Sequence, residues 1–400
     1  MTFYPLILIV ALLHAFVGWR LLPGIGASGG LGGGLAWQLL LGLVLVLSAL
    51  LMPLGLVGSR VMKQPWADRL SWVGLLFMGL FSSLFVLTVA RDVGLLLLWL
   101  LDAAGVLSVG QAQVSVVSAA AVPLLALGVT ALGFLNARRT AAVVRVDVPI
   151  KGLPQALHGF TLVQISDIHV GPTIKQAYLQ RIVSKVNSLR ADVVAITGDL
   201  VDGRVAELAA HVAPLAGLTS RHGTFFVTGN HEYYSGAHAW IKELRRLGLT
   251  VLMNEHVVLH HGSAEATAAQ GDSQIMAPLV LAGVTDYSAH HFDPSHRSDP
   301  HAALEGAPLA ARVRVLLAHQ PRSAAAALDA GFDLQLSGHT HGGQFWPWNL
   351  FVRFQQPFTA GLNKLQSLWV YTSRGTGYWG PPKRFGAPSE ITALRLVAVS

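Results

Sequence analysis

Two hydrophobic patterns divide this chain near residue 140. Before it, apolar residues run almost unbroken for 18 residues or more. Beyond it, apolar runs last four to ten residues and stop at polar ones. A helix that crosses a bilayer needs about 20 mostly apolar residues. Tyr4–Leu22, Leu35–Val57, Ser71–Ala90 and Val114–Leu135 each meet that length. Residues 93–107 are apolar but short and interrupted by Asp102; they extend the third helix, lie at the interface or form a fifth span. In the second half, Val144–Val148 alternates as a half-buried strand does, and Pro149 with Gly152–Pro154 ends it. Strands are predicted at Phe160–Ile165, Val193–Thr197, Thr224–Val227, Leu279–Val284, Val313–Ala318, Leu334–Leu336, Trp369–Tyr371 and Ile391–Val399. Helical spacing marks Tyr178–Leu189 and Ala237–Leu247. Strands mixed with helices predict a layered α/β domain at 141–400, preceded by an all-α transmembrane domain at 1–140 with about four helices.

Composition sharpens the division. The 400 residues are 52% hydrophobic and only 12% charged, against a soluble average of about 25% charged. The first 140 residues hold seven Lys/Arg and three Asp, too few to cover a water-soluble domain of that size. The first run lacks a basic start and a small-residue cleavage site, so it reads as a retained span. Cysteine is absent, which excludes disulfides and thiolate metal sites. The net charge of +7 comes without a Lys/Arg run interleaved with aromatics, so no nucleic-acid partner is expected and attraction to anionic lipid is. Arg60, Lys63 and Arg69 follow the second span, and Arg138 and Arg139 end the last. Four spans put both basic clusters, the N-terminus and the second domain in the cytoplasm. Arg20 lies toward the outer side in that arrangement and counts against it.

The chemistry sits where the short strands stop. Asp167-Ile168-His169 follows the first, Gly198-Asp199-Leu200-Val201-Asp202 the second, and Gly229-Asn230-His231-Glu232 the third. His319 and Gly338-His339-Thr340-His341 follow two later ones. Open α/β sheets bind ligands beyond the carboxyl ends of their strands. Glycines beside Asp199, Asn230 and His339 fit sharp turns. Carboxylate, amide and imidazole together suit Mn, Fe, Zn or Mg, and a carboxylate can bridge two cations about 3.5–4 Å apart. This is the ligand set of a two-metal hydrolytic centre.

The ordered set D-x-H, G-D-x-x-D, G-N-H-E, H and G-H-T-H resembles the calcineurin-like metallophosphoesterase superfamily over roughly residues 142–400, and within it the membrane-linked bacterial members. The resemblance implies a four-layer α-β-β-α sandwich. It implies that Asp167, His169 and His341 hold a first metal, that Asp199 bridges, and that Asn230, His319 and His339 complete a second site. It implies that His231 is the catalytic histidine and Asp202 the carboxylate bonded to it. The expected enzyme is a phosphoesterase of the bacterial inner membrane that cleaves a phosphoester or pyrophosphate of a lipid-linked substrate through a metal-bridging hydroxide. The rival reading is a non-catalytic membrane scaffold that binds a partner through the same fold; a decayed member should have lost ligands, and none is missing here.

Softer features complete the reading. Arg374, Arg384 and Gln344 are candidate substrate ligands, and Asp286 a candidate pocket residue. Trp346, Trp348, Phe351, Trp379 and Phe385 exceed what core packing needs and suit an interfacial platform. The His-rich stretch 256–301 is read as a solvated insertion in preference to a metal-binding flap. Gly24–Gly34 is read as a flexible connector, and His14 and Asp102 as packed or interfacial polar groups.

Overall fold

The computed structural model describes residues 4–27, 34–58, 62–262 and 276–399. Residues 28–33 of the glycine-rich connector, Arg60 of the first basic cluster and residues 263–275 of the His-rich stretch lie outside them. The chain divides into a helical unit, Met1–Asn136 with Gly380–Phe385, and a second unit, Ala137–Trp379 with Gly386–Ser400.

The helical unit contains α1 (Tyr4–Ala27), α2 (Gly34–Leu56), α3 (Trp66–Ala103) and α4 (Gln111–Arg138). All four are long and apolar enough to cross a membrane. Residues 93–103 extend the third helix, which reaches 38 residues, about 57 Å at 1.5 Å per residue. Val17, Leu21, Leu45, Phe81, Leu84 and Ala126 pack the centre of the unit. A side chain on Gly74 would strike Gly55, so small residues let α2 and α3 approach closely. His14 is packed, as expected: Nε2 lies 2.9 Å from Ser48 Oγ and Nδ1 2.7 Å from Val10 O. Asp102 is exposed near the end of α3 and accepts from Gln111 Nε2 at 3.2 Å. Arg20 and Arg91 donate to Asp92 at 2.7 and 3.0 Å.

The second unit contains two six-stranded mixed sheets. One has the order β1 (Ala142–Lys151), β12 (Glu390–Val399), β2 (Thr161–Ile165), β3 (Val193–Thr197), β4 (Thr224–Val227), β5 (Thr250–Val251). The other has the order β10 (Gly361–Leu365), β11 (Leu368–Thr372), β9 (Leu334–Ser337), β8 (Val313–Leu317), β7 (Ala277–Gly283), β6 (Glu255–His261). Alternate residues face opposite layers. Leu162, Val193, Ala195, Val313, Val315 and Leu317 meet between the sheets. Val163, Val194 and Ile196 pack under the helices α5 (Gln176–Asn187), α6 (Val205–Val212) and α8 (Ala237–Arg246). Leu316 and Val370 pack under α9 (Ala324–Ala330). Both faces of each sheet are covered, which explains why its strands read as unbroken apolar runs.

Two expectations are corrected. Pro149 does not end β1, which continues to Lys151. β1 is an edge strand paired only with β12, and an edge tolerates a residue with no N–H to donate. The start of the His-rich stretch is not a solvated insertion either. His256, His260 and His261 lie on β6, paired with β7, and His256 Nδ1 lies 2.8 Å from Ala303 O.

Candidate metal centre

Adjacent parallel strands aim the motifs at one place. β2, β3 and β4 are neighbours in one sheet, β8 and β9 in the other. Asp167 and His169 follow β2, Asp199 and Asp202 follow β3, and Asn230 and His231 open α7 (Asn230–Ser235) after β4. His319 follows β8, and His339 and His341 follow β9.

Beyond the strand ends the side chains converge. Asp167, His169 and His341 form one group with ligand atoms within 4.8 Å of each other; Asp199, His319 and His339 form a second; His169, Asp199 and His231 join them. His169 Nε2 and His341 Nε2 face each other at 3.0 Å. His319 Nε2 lies 3.1 Å from Asp199 Oδ2 and 3.2 Å from His339 Nδ1. His341 Nε2 lies 3.5 Å and His169 Nε2 4.0 Å from carboxylate oxygens of Asp167 and Asp199. Among the described residues, Asp167 Oδ2 and Asn230 Oδ1 are two of eight buried side-chain N or O atoms with no hydrogen-bond partner. Buried acceptors without donors are costly, so an arrangement that leaves two of them among clustered imidazoles fits divalent cations.

The backbone is strained at the same positions. Asp167, His169, Asp199, His339 and His341 all have φ between 50° and 69°. Left-handed backbone at such residues costs on the order of 1–3 kcal/mol each and persists where surrounding structure enforces it. Two of the three glycines, Gly229 and Gly338, act differently from expectation. Gly198 supplies a left-handed turn at φ 84°. Gly229 and Gly338 do not; a side chain on Gly229 would occupy the place of the Asp199 carboxylate, and one on Gly338 that of Ser166 and Asp167. They are small because ligands pass against them.

A second layer fixes ring orientation. Asp202 Oδ1 accepts from His169 Nδ1 at 3.0 Å and from His231 Nδ1 at 2.6 Å, so one carboxylate turns both Nε2 atoms toward the cluster. His319 Nδ1 donates to Thr197 O at 2.7 Å, which turns Nε2 toward Asp199 and His339. Glu232, to which the sequence reading gave no role although it stands in Gly229-Asn230-His231-Glu232, is fully buried. It accepts from the backbone N–H of Asp199 (3.0 Å), Leu200 (2.8 Å) and Gly229 (2.6 Å), so it ties the loop after β3 to the loop after β4. Its location in the motif was the only signal for it.

The electrostatics follow from this crowding. Burial pushes the Asp167 carboxyl above its ordinary range. Burial opposes the charge on Asp199, yet His319 beside it holds that carboxyl well below the usual range and is itself raised in turn. Burial lowers His339 to about 3, helped by the charge on His319. Burial disfavours charge on His231, but the hydrogen bond to Asp202 and the charge of Asp199 lift it to about 9. Burial, together with the charge of Asp199, pushes Glu232 up to about 8.

The softer candidates fall differently. Gln344 has both ends of its amide tied to the backbone of Trp379, at 2.7 and 2.8 Å. Arg374 pairs with Glu390 at 2.9 Å and remains about a third exposed (36%). Arg384 belongs to the helical unit, where it is buried and its backbone N–H donates to Gly133 O at 2.8 Å. Asp286 is buried and accepts from Gln320, the neighbour of His319, at 3.0 Å. Trp346, Trp348, Phe351 and Trp379 are all exposed. Trp379 and Tyr234 stand edge-on to His231 at 5.8 and 5.2 Å between ring centroids, and Phe292 stands 5.5 Å beyond Tyr234. The sequence reading missed Tyr234 and Phe292; nothing in their spacing marks them.

Comparison with known proteins agrees with this geometry. The calcineurin-like phosphoesterase family matches residues 160–343. The chain is 39% identical to a zebrafish (Danio rerio) transmembrane protein with metallophosphoesterase domain, over 68% of this chain and 62% of that protein. It is 42% identical to the bovine (Bos taurus) protein of the same description, over 69% and 62%. An uncharacterized metallophosphoesterase of Aquifex aeolicus is 30% identical over 64% of this chain and 91% of its own length. The chain thus spans about three fifths (62%) of the two animal relatives, and the resemblance is not confined to bacterial members. With four N-terminal spans it is an integral membrane protein. The chain belongs to the calcineurin-like phosphoesterases, metal-dependent hydrolases of phosphoester bonds.

Proposed function

We propose that this protein is a membrane-anchored two-metal phosphohydrolase whose substrate is a phosphoester or pyrophosphate carried on a lipid. The observation that carries the reading is the convergence of Asp167, Asp199, His169, His319, His339 and His341, with Asp167 Oδ2 and Asn230 Oδ1 buried and unpartnered. In it, Asp167, His169 and His341 hold one divalent ion and Asn230, His319 and His339 the other. Asp199, placed between His169 and His319, offers an oxygen to each. Such a pair of ions, when bound, supplies Lewis acidity that lowers the pKa of water and offsets charge on phosphoryl oxygens.

The chain's own groups do the rest. His231 is only partly buried (16% exposed). Asp202 holds its Nδ1–H, so Nε2–H faces the mouth of the cluster. From there it donates a proton to the leaving oxygen as the bond from phosphorus to that oxygen breaks and a water oxygen takes its place. Asp202 keeps the ring in register and stabilises its charge. Tyr234, Phe292 and Trp379 present 63%, 52% and 53% of their surface beside His231, an apolar rim suited to the lipid part of a substrate. Anchorage in the same membrane raises the local concentration of such a headgroup. The catalytic unit faces the cytoplasm of a bacterial inner membrane in this reading. The positions of Lys63, Arg69, Arg138 and Arg139 beside the ends of the four spans support that side.

The test is turnover of bis-p-nitrophenyl phosphate by the full chain in detergent, loaded with Mn. Metal-dependent hydrolysis is expected; bound metal without hydrolysis overturns the reading. Lipid phosphates in mixed micelles are then compared with their soluble headgroups. Equal kcat/KM for both removes the lipid from the proposal.

A further inference from the structure

Among the described residues outside the catalytic cluster, one other group of side chains offers metal ligands, and it draws them from two elements. His238 lies in the first turn of α8, and Asp293 and His296 lie on the loop after β7. His238 Nε2 is 3.0 Å and His296 Nε2 3.9 Å from the same oxygen, Asp293 Oδ2, and all three ligand atoms lie within 4.8 Å. Ligands of a tetrahedral zinc ion stand about 3.3 Å apart, so small side-chain rotations, chiefly of the exposed His238, bring the three atoms to that spacing.

An ordinary ion pair explains less. It needs one imidazole, yet a second faces the same oxygen beyond hydrogen-bond reach. The second ring is also fixed from behind. His296 Nδ1 lies 2.9 Å from Tyr233 Oη, the arrangement that leaves Nε2 as the ligating atom. The other oxygen of Asp293 accepts from Ser295 N and Oγ at 2.9 and 2.6 Å, which leaves Oδ2 for the cluster.

We infer that His238, Asp293 and His296 form a peripheral zinc site with water as the fourth ligand. The site reaches the catalytic centre through α7. Tyr233, which positions His296, is two residues from His231 and three from Asn230 on that helix. Zinc there ties α7 to α8 and to the loop after β7.

The test counts zinc by mass spectrometry in the full chain after dialysis against micromolar zinc. The parent protein is expected to carry one equivalent more than His238→Ala and one more than Asp293→Asn. His238 is 74% exposed, so its replacement leaves the fold intact. The same one-equivalent difference is expected when both changes are compared in an Asp199→Asn background, which separates this site from the catalytic one. Hydrolysis of bis-p-nitrophenyl phosphate in zinc-free Mn buffer should be unchanged by either substitution. Equal zinc content in the parent and both variants overturns the site.

Discussion

Both units bury polar side chains, and they treat them in opposite ways. In the helical unit the polar groups are matched to each other. His14 meets Ser48 and Val10 O, and Arg20 and Arg91 share Asp92. In the second unit, five imidazoles and two carboxylates crowd together, and Asp167 Oδ2 and Asn230 Oδ1 are left without donors. The first pattern is what burial demands of a polar group that only has to pack. The second, where an unpartnered carboxylate oxygen sits among crowded imidazoles, fits a bound cation. Backbone strain separates the two in the same way. Among the described residues, five of the nine non-glycine positions with positive φ are Asp167, His169, Asp199, His339 and His341, and none belongs to the four membrane helices.

The hardest test of that contrast removes the shared carboxylate. Asp199→Asn keeps the shape but loses the charge that faces both His169 and His319. Turnover of bis-p-nitrophenyl phosphate should fall by about 10³-fold or more, the rate equivalent of several kcal/mol of charge stabilisation. Metal content measured on the same sample should fall with it. His231→Gln removes a proton donor but no ligand of either metal group. It should lower kcat by about 10²-fold with metal content unchanged. If metal is lost together with kcat, His231 belongs to the ligand set and the division of roles is wrong.

Glu232→Gln acts one layer further out. A glutamine cannot accept from the N–H groups of Gly229, Asp199 and Leu200 with both ends of its side chain. The two loops loosen, and affinity for Mn should weaken by about 10- to 100-fold, with kcat at saturating Mn nearly preserved. A metal titration of activity distinguishes this from a direct loss of catalysis.

How far the sequence could reach follows from the same physics. The residues that cluster were legible because each motif is contiguous and ends an apolar run, as at Val193–Thr197 before Asp199. The four membrane helices were legible because length and hydropathy suffice. The extension of α3 through residues 93–103 was left open, since a short apolar stretch with one Asp fits three arrangements. β6 was missed because its residues Glu255–His261 alternate weakly and its partner β7 lies beyond a long intervening segment. The second partner of Asp202 and the three N–H groups held by Glu232 depend on loops that meet only in three dimensions. The glycine roles were misread for the same reason. Close approach of a ligand to Gly229 or Gly338 leaves no trace in spacing.

The smallest effect is the one that probes the helical side of the comparison. His14 is stacked on Phe81 at 3.6 Å between ring centroids and bonded to Ser48. If that pair only packs, His14→Leu replaces a satisfied polar group by an apolar one of similar size. Ser48 keeps its contact to Met52 Sδ at 3.4 Å, and its hydroxyl can turn to a carbonyl one turn back along α2. Hydrogen bonds between membrane helices average about 0.6 kcal/mol, so Tm should move by no more than about 2–4 °C and Mn-dependent turnover should not move. A variant that is as stable as the parent but inactive would break the contrast. The polar group of the helical unit would then serve the reaction despite having every partner it needs, and satisfaction of hydrogen bonds could no longer be used to tell a packed polar residue from a working one.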